Sequence, residues 1–410
     1  MTRKHSKLLA FVYIAMMSVA FVVENYNGPV WFLKDILWGV TTCIGIAVVF
    51  VSGNFRHIKK ISIITGAGIL QYLFILAISL LIWIAERQSI PLMRRGAITL
   101  VYQINAIIAM AAAVYMFEEK ALYYTFYSMV LANTFIMITV MQSYGVWETL
   151  KSIFFAIITF GGFENKTVTA LEVHDLTFAF GVFLLYFTML PSHIKKPVLH
   201  IVLAAFFFLL GMKRIALAQM IVLIPFWYIL INRKFKKSSF VNFTAVIILF
   251  FCLWYVYLIY SDGYGTLMDA MNVNTMGRDR IYRVVAPYYE FSPAYLGHGT
   301  GFVQRTMEDL FLAGNSPALG LHADILMLFI ELGFFGMIFW ILIQYVLKYK
   351  IIKSVAGEEV MLLSFLVSMY AFFTYITDNT FLYCYTNLAI AFIPTVHMVK
   401  IQNDELRKWI

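Results

Sequence analysis

An all-α protein threaded repeatedly through a membrane is the fold class this sequence predicts, and three observations predict it. Hydrophobic residues make up 62% of the 410 and charged residues only 13%, with a mean hydropathy of +0.81, far above a water-soluble composition. Apolar runs of about 20 residues, the length that crosses a bilayer as a helix, recur along the whole chain. The polar connections between them are mostly short, and residues 261–320 form the marked exception. These features predict a single transmembrane domain over 1–410, with 261–320 as one long extracytoplasmic loop containing short helices. No heptad, repeat of 20 to 50 residues or low-complexity tract suggests another architecture, and no inverted repeat of the transporter kind is evident.

In order, the apolar runs place spans at about 8–24, 34–52, 61–84, 97–116, 121–141, 176–190, 197–211, 215–231, 241–260, 324–346, 359–377 and 380–396. That is about 12 transmembrane helices. The first follows the basic residues Arg3, Lys4 and Lys7 without a small-residue cleavage site, so it reads as a retained helix. The second opens with the adjacent pair Lys34 and Asp35, read as a lysine reaching toward the interface with its partner beside it. Between the fifth and sixth spans, Ser152 to Phe160 is apolar but too short to cross, with Lys151 and Glu164 at its flanks. It is expected to lie in the membrane interface. The seventh and eighth spans are joined only by Gly211-Met212-Lys213-Arg214, and Pro225 is a proline deep in a span. Cys43, Cys252 and Cys384 all fall in apolar runs and read as small packing residues, not as a disulfide framework or metal site.

An even number of spans puts both termini on one side. Most of the 31 lysines and arginines fall in segments that would then share the side of the termini, including Arg56, Lys120, Lys195, Lys196, Arg233 and the stretch Lys348 to Lys353. The positive-inside rule makes that side cytoplasmic and puts the 261–320 loop outside. The positive charge is thus a topology signal, and nucleic acid is not expected as a partner.

Charged groups at the edges of spans are costly and default to functional hypotheses. Arg214 begins the eighth span, where a guanidinium makes a planar fork for phosphate oxygens and keeps its charge when partly buried. In the long loop, Asp279 to Tyr289 has helix-compatible spacing after Asn274-Thr275, and Pro293 stops it. On that helix Arg280 and Arg283 share a face, while Arg278 stands at the N-terminus, itself an anion-attracting position. The glycines of Gly297-His298-Gly299-Thr300-Gly301 permit a backbone nest for an anion, or simply turns. His322 and Asp324 precede the next apolar run. The imidazole can hold or pass a proton near neutral pH, and Asp324 can cap the following helix. Glu331 lies inside that span and needs a partner, either an arginine in a structural pair or a group in the site it tunes. Asp378-Asn379-Thr380 makes the last outer turn. Carboxylates in the outer loop (Asp262, Asp269, Asp279) lack the clustering that a divalent ion on a diphosphate requires, so no metal and no cofactor is expected.

The ordered set Lys213-Arg214-Ile-Ala-Leu-Ala, Gly277-Arg278-x3-Tyr282, Ser292-Pro293-x3-Gly297-x-Gly299-x-Gly301, His322-Ala-Asp324-Ile-Leu and Glu331-Leu-Gly333-Phe-Phe-Gly336 resembles the bacterial O-antigen ligase and polymerase superfamily, most closely a Wzy-type polysaccharide repeat-unit polymerase. The resemblance covers roughly residues 211–380 and implies a GT-C-like, metal-independent glycosyltransferase of the bacterial cytoplasmic (inner) membrane, its active site facing outside and both termini cytoplasmic. It implies an undecaprenyl-diphosphate-linked glycan as donor and another lipid-linked repeat unit as acceptor, for O-antigen, capsule or exopolysaccharide synthesis. A chain-length regulator and a flippase would be accessory partners. By position it assigns Arg214 and Arg278 to the diphosphate and His322 to the motif after the long loop. Asp324 and Glu331 are further candidates for acid–base work, and Lys213, Arg280, Arg283 and Tyr282 for substrate binding. Ala323 departs from the asparagine common in ligases, which weighs against transfer to a lipid A core. A lipid-linked sugar flippase is the reading from another class. It would need charged residues along the middle of several helices, whereas here the spans are largely clean.

Overall fold

The computed structural model describes residues 3–24, 32–52, 57–159, 165–211, 213–232, 236–273, 275 and 277–407. Of the residues singled out above, Arg56, Phe160, Glu164, Met212, Arg233 and Asn274 lie outside these. Among the described residues there are helices and turns but no strand. The α-helices in chain order are α1 (Arg3–Glu24), α2 (Leu33–Ser52), α3 (Ile58–Ala85), α4 (Ile90–Phe117), α5 (Ala121–Tyr144), α6 (Val146–Ile158), α7 (Lys166–Leu171), α8 (His174–Met189) and α9 (Pro197–Leu210). They continue with α10 (Arg214–Asn232), α11 (Lys237–Tyr260), α12 (Gly263–Ala270), α13 (Arg278–Val285), α14 (Phe302–Leu312), α15 (Asp324–Leu342), α16 (Lys348–Thr374) and α17 (Cys384–Arg407).

Seven described stretches are long and apolar enough to cross a membrane, and three shorter apolar helices (Lys7–Val23, His174–Met189, Pro197–Leu210) accompany them. Two of the seven, Ile90–Tyr144 and Asp324–Thr374, run to 55 and 51 residues, more than twice what one crossing takes. The first is α4 and α5, reversed at Glu118, whose φ is +51°. The second is α15 and α16, reversed at Gly357, φ +87°. Each reversal splits its stretch into two passes, so the chain is polytopic and agrees with the spacing of apolar runs in the sequence. Large apolar side chains such as Phe50, Leu81, Ile221 and Phe250 point outward, as they must where the solvent is lipid. On the face opposite the 261–320 loop, His57 meets Gln402 and Asn403, and Asn403 donates to Glu118 at 2.9 Å. The N-terminal end of α3, the α4–α5 reversal and the C-terminal part of α17 therefore share that face.

The short run around Ser152 is α6, whose buried residues are the small Thr149, Ser152 and Ala156 while Trp147, Phe154 and Ile158 are exposed. That inverted amphipathicity suits a helix lying against lipid. Lys34 is buried against the rings of Trp38 and Tyr102, each 5.9 Å away. The basic stretch from Lys348 is not the polar connection expected from its charge. A π turn, Ile343–Leu347, joins α15 to α16 without a loop, and Lys348 is buried at 3% exposure. α15 is itself interrupted at Gly333 (φ +74°), and the chain turns back beyond Lys348 at Gly357, whose positive φ a glycine adopts readily.

The long loop is itself structured by α12, α13, a 3-10 turn at Ala286–Tyr288, and α14. Its glycine cluster threads between α3, α4 and α15. A Cβ on Gly297 or Gly299 would come under 3.0 Å from the Gly333 backbone or the Trp83 ring, and one on Gly96 would strike the Thr300 carbonyl. Close approach, not turning alone, demands these glycines. Gly96→Ala is therefore expected to lower stability by about 1–3 kcal/mol through overpacking, measurable as a reduced Tm of the purified protein. Gly39→Ala, where a Cβ meets nothing within 4 Å, is its control.

Candidate active site

Four connections converge on the loop face: Glu172–His174 before α8, the turn before α10, the long loop at Thr275, Gly277–Arg278 and Gly320–His322, and Thr377–Tyr383 before α17. The α9–α10 turn can sit this close to α8 because Gly211 has no side chain; a Cβ there would come under 3.0 Å from Thr177. Lys213 Nζ then reaches Glu172 Oε1 at 2.7 Å and Asp378 Oδ2 at 3.7 Å, above the Phe178 ring. His174 Nδ1 lies 3.5 Å from the same Glu172 oxygen. Asp378 Oδ1 accepts from the Tyr383 hydroxyl at 3.0 Å and the Asn379 amide at 2.9 Å. Lys213 is thus closely matched by two carboxylates.

Arg278 is held differently. Gly277, at φ +79°, is the N-cap of α13, and the guanidinium donates to two carbonyls, Thr377 O at 3.1 Å and Thr275 O at 3.5 Å. Its Nε is buried with no hydrogen-bond partner among the described residues. Among the described residues no carboxylate pairs with it. An arginine held by neutral oxygens keeps its full charge and spare donors for an anion.

His322 is a non-glycine residue in the left-handed region, φ +52°, a conformation costing about 1–2 kcal/mol and characteristic of functional sites. Asn379 fixes it from both sides: its Oδ1 accepts the His322 backbone N–H at 3.0 Å, and its Nδ2 faces Nδ1 at 3.5 Å. Asn379 thus hydrogen-bonds the backbone of His322 and sets the orientation of its ring. Because Asn379 presents its amide N–H, Nδ1 carries the lone pair, and 3.5 Å is long enough for that lone pair to be nearly free. The imidazole pKa is lowered from its ordinary 6.5, first by burial; Arg278, Lys213 and His174 lower it further, while Asp378 opposes them. The neutral form, able to accept a proton, is favoured at neutral pH.

The remaining sequence candidates take varied positions. Arg214 opens α10 with an exposed side chain, and Arg280 is exposed on α13. Arg283 is exposed and pairs with Asp262 at 3.2 Å. Tyr282 is buried, its hydroxyl 3.2 Å from that of Tyr255, and it lines a pocket of about 150 Å³ with Tyr260, Tyr264 and Asp279. Asp324 does not cap its own helix. Ala323 is the N-cap, and Asp324 Oδ2 instead accepts the Phe381 amide at 2.7 Å while Oδ1 is buried without a partner. Among the described residues Glu331 meets no arginine. Its Oε1 accepts the backbone N–H of Gly301 at 2.9 Å and Val303 at 3.2 Å, closing the N-terminus of α14, about 10 Å along α15 from Asp324.

The glycine nest thus receives the chain's own carboxyl group, and three more of its amides are engaged: His298 N–H by Ile330 O, Gly299 N–H by Glu331 O, Thr300 N–H by Ser79 Oγ. Glu172, His174 and Tyr383 join the cluster without having been read from the sequence. The signal for the first two was present: Glu172-x-His174 stands before an apolar run as His322-x-Asp324 does.

Residues 199–341 match the model of the family described as Wzy_C, O-Antigen ligase. No curated protein and no solved structure matches the chain.

Proposed function

We infer that the chain belongs with the O-antigen ligase/polymerase superfamily, a reading supported by the match over 199–341, which includes Lys213, Arg214, Arg278 and His322. We propose that the protein is a glycosyltransferase of the inner membrane, acting as a polysaccharide polymerase at the outer face. A glycan on undecaprenyl diphosphate is the donor, and a second lipid-linked repeat unit is the acceptor. In this reading the acceptor hydroxyl gives its proton to His322 Nδ1 as its oxygen attacks the donor's anomeric carbon. The bond from that carbon to the phosphate oxygen breaks, and the lipid diphosphate leaves as an anion held by Arg278, with Arg214 at the rim. Lys213, already matched by Glu172 and Asp378, positions the wall between them. The tyrosine-lined pocket beside α13 offers ring faces on which sugars stack. The observation that carries the proposal is the meeting of a carbonyl-held Arg278 and a backbone-strained, neutral-favoured His322 across the Thr377–Asn379 turn.

Leaving-group stabilisation of this kind is worth about 10²–10³ in rate. Arg278→Ala is expected to collapse the surface-polysaccharide ladder to single repeats at unchanged protein level, and Arg278→Lys to restore it only in part. A wild-type ladder from Arg278→Ala would overturn the assignment. Full-length polymer retained on its lipid carrier in a null strain would instead select transfer to a lipid A core, and repeats trapped on the cytoplasmic face would select a flippase.

A further inference from the structure

Where α15 passes into α16, the chain encloses a small polar cavity that shares no residue with the His322 cluster. Its walls include Gln71 and Tyr72 from α3, Gln344 from the π turn, Lys348 and Ser368 from α16, and Asn387 from α17. All six are buried, Lys348 at 3% exposure. Space for water-sized occupants amounts to about 10 Å³, enough for one particle of that size.

The polar groups around this space are unevenly satisfied. Lys348 Nζ donates to Ser368 Oγ at 3.1 Å and lies 5.4 Å from the Tyr349 ring; among the described residues no carboxylate pairs with it. The Tyr72 hydroxyl and Gln344 Oε1 are buried with no hydrogen-bond partner among the described residues. Gln71 spends its oxygen on Trp340 Nε1 at 3.3 Å, so its amide nitrogen is the end that can face the cavity. Asn387 spends its nitrogen on carbonyl groups, Phe381 O at 2.8 Å and Tyr383 O at 2.9 Å. The groups left around the hole are therefore three donors, an ammonium, a phenol and an amide N–H, and two amide oxygens, those of Gln344 and Asn387; the ammonium is the one charged group among them. An ammonium buried in a membrane bundle without a counter-charge carries a large desolvation penalty. The adjoining π turn is a departure from α-helix that commonly marks functional sites.

We propose that this cavity is a halide site, in which a monatomic anion the size of chloride is held by Lys348 Nζ, the Tyr72 hydroxyl and the Gln71 amide. The space excludes phosphate, carboxylates and any sugar. A bound halide neutralises Lys348, satisfies Tyr72 and ties α3 to α16. A single water would satisfy Tyr72 equally well but leave the ammonium charge unbalanced.

The test uses the full-length protein purified in detergent, with Tm followed as sodium gluconate is replaced by sodium chloride or bromide at constant ionic strength. A ligand that binds only the folded state raises Tm saturably, here by about 2 °C or more. Lys348→Met, which keeps the shape and removes the charge, is expected to abolish the halide dependence. Tyr72→Phe, which removes one donor, is expected to raise the half-saturating halide concentration several-fold; it decides the matter should Lys348→Met not fold. Equal Tm of the wild-type protein in gluconate and in both halides would overturn the proposal in favour of a neutral amine beside water. So would a halide response that survives Lys348→Met or is unmoved by Tyr72→Phe.

Discussion

Replacing His322 by alanine is expected to reduce polymer formation by about 10²–10⁴-fold, the usual contribution of a positioned general base, with membrane-inserted protein at wild-type level. The shape of the pH profile separates a base from a merely structural histidine. Burial, Arg278, Lys213 and His174 hold the imidazole below its ordinary 6.5. The active form is neutral, so the rate falls only as the pH drops through that lowered value. The acid limb should lie below 6.5, with a plateau through pH 7. Asp378 is the group that pulls the imidazole upward, so Asp378→Asn should move the limb further toward acid. A rate independent of pH between 5 and 7.5, or a limb that ignores Asp378, would remove His322 from the chemistry. The measurement is incorporation of labelled lipid-linked repeats by proteoliposomes across that range.

How much of this was legible in the sequence depends on the range of the interaction. The helices were readable because a crossing is set by the length and apolarity of a local run. Even the 55- and 51-residue stretches separate into pairs of passes where the sequence puts Glu118 and Gly357. Arg278, His322 and the Asp378 turn were legible as polar groups at span ends. Which of them touch was not, because Lys213–Asp378 and His322–Asn379 join residues far apart in the chain. Lys348 shows the limit from the other side. Its neighbours Lys350 and Lys353 make a basic tract that reads as a connection, and only the surrounding helices reveal that the first lysine of the tract is buried. The same holds for the carboxyl groups. Asp175, Asp324 and Glu331 look alike in sequence as acids at or inside spans. Yet Asp175 takes the amides of Tyr385 and Thr386 at 2.8 Å each, Asp324 that of Phe381, and Glu331 those of Gly301 and Val303. Each closes a turn on the loop face by accepting N–H groups that no helix satisfies.

Glu331 provides the sharpest contrast between a structural and a catalytic carboxyl group. If its function is to satisfy Gly301 and Val303, an acceptor oxygen is all it must supply, and Glu331→Gln retains one in the same place. That variant should keep near-wild-type Tm and polymer length. Glu331→Ala leaves two buried N–H donors without a partner, at about 1–3 kcal/mol each, beside a glycine cluster packed too closely for backbone to shift aside. A loss of about 2–6 kcal/mol is expected, seen as a large drop in Tm and as early proteolysis within 297–312. Loss of polymer in Glu331→Ala would then follow from loss of the loop that carries Arg278 to its place. Should Glu331→Gln instead fold normally and lose activity, the carboxyl group would have to act by its proton, and Glu331 would join His322 as a candidate in the reaction.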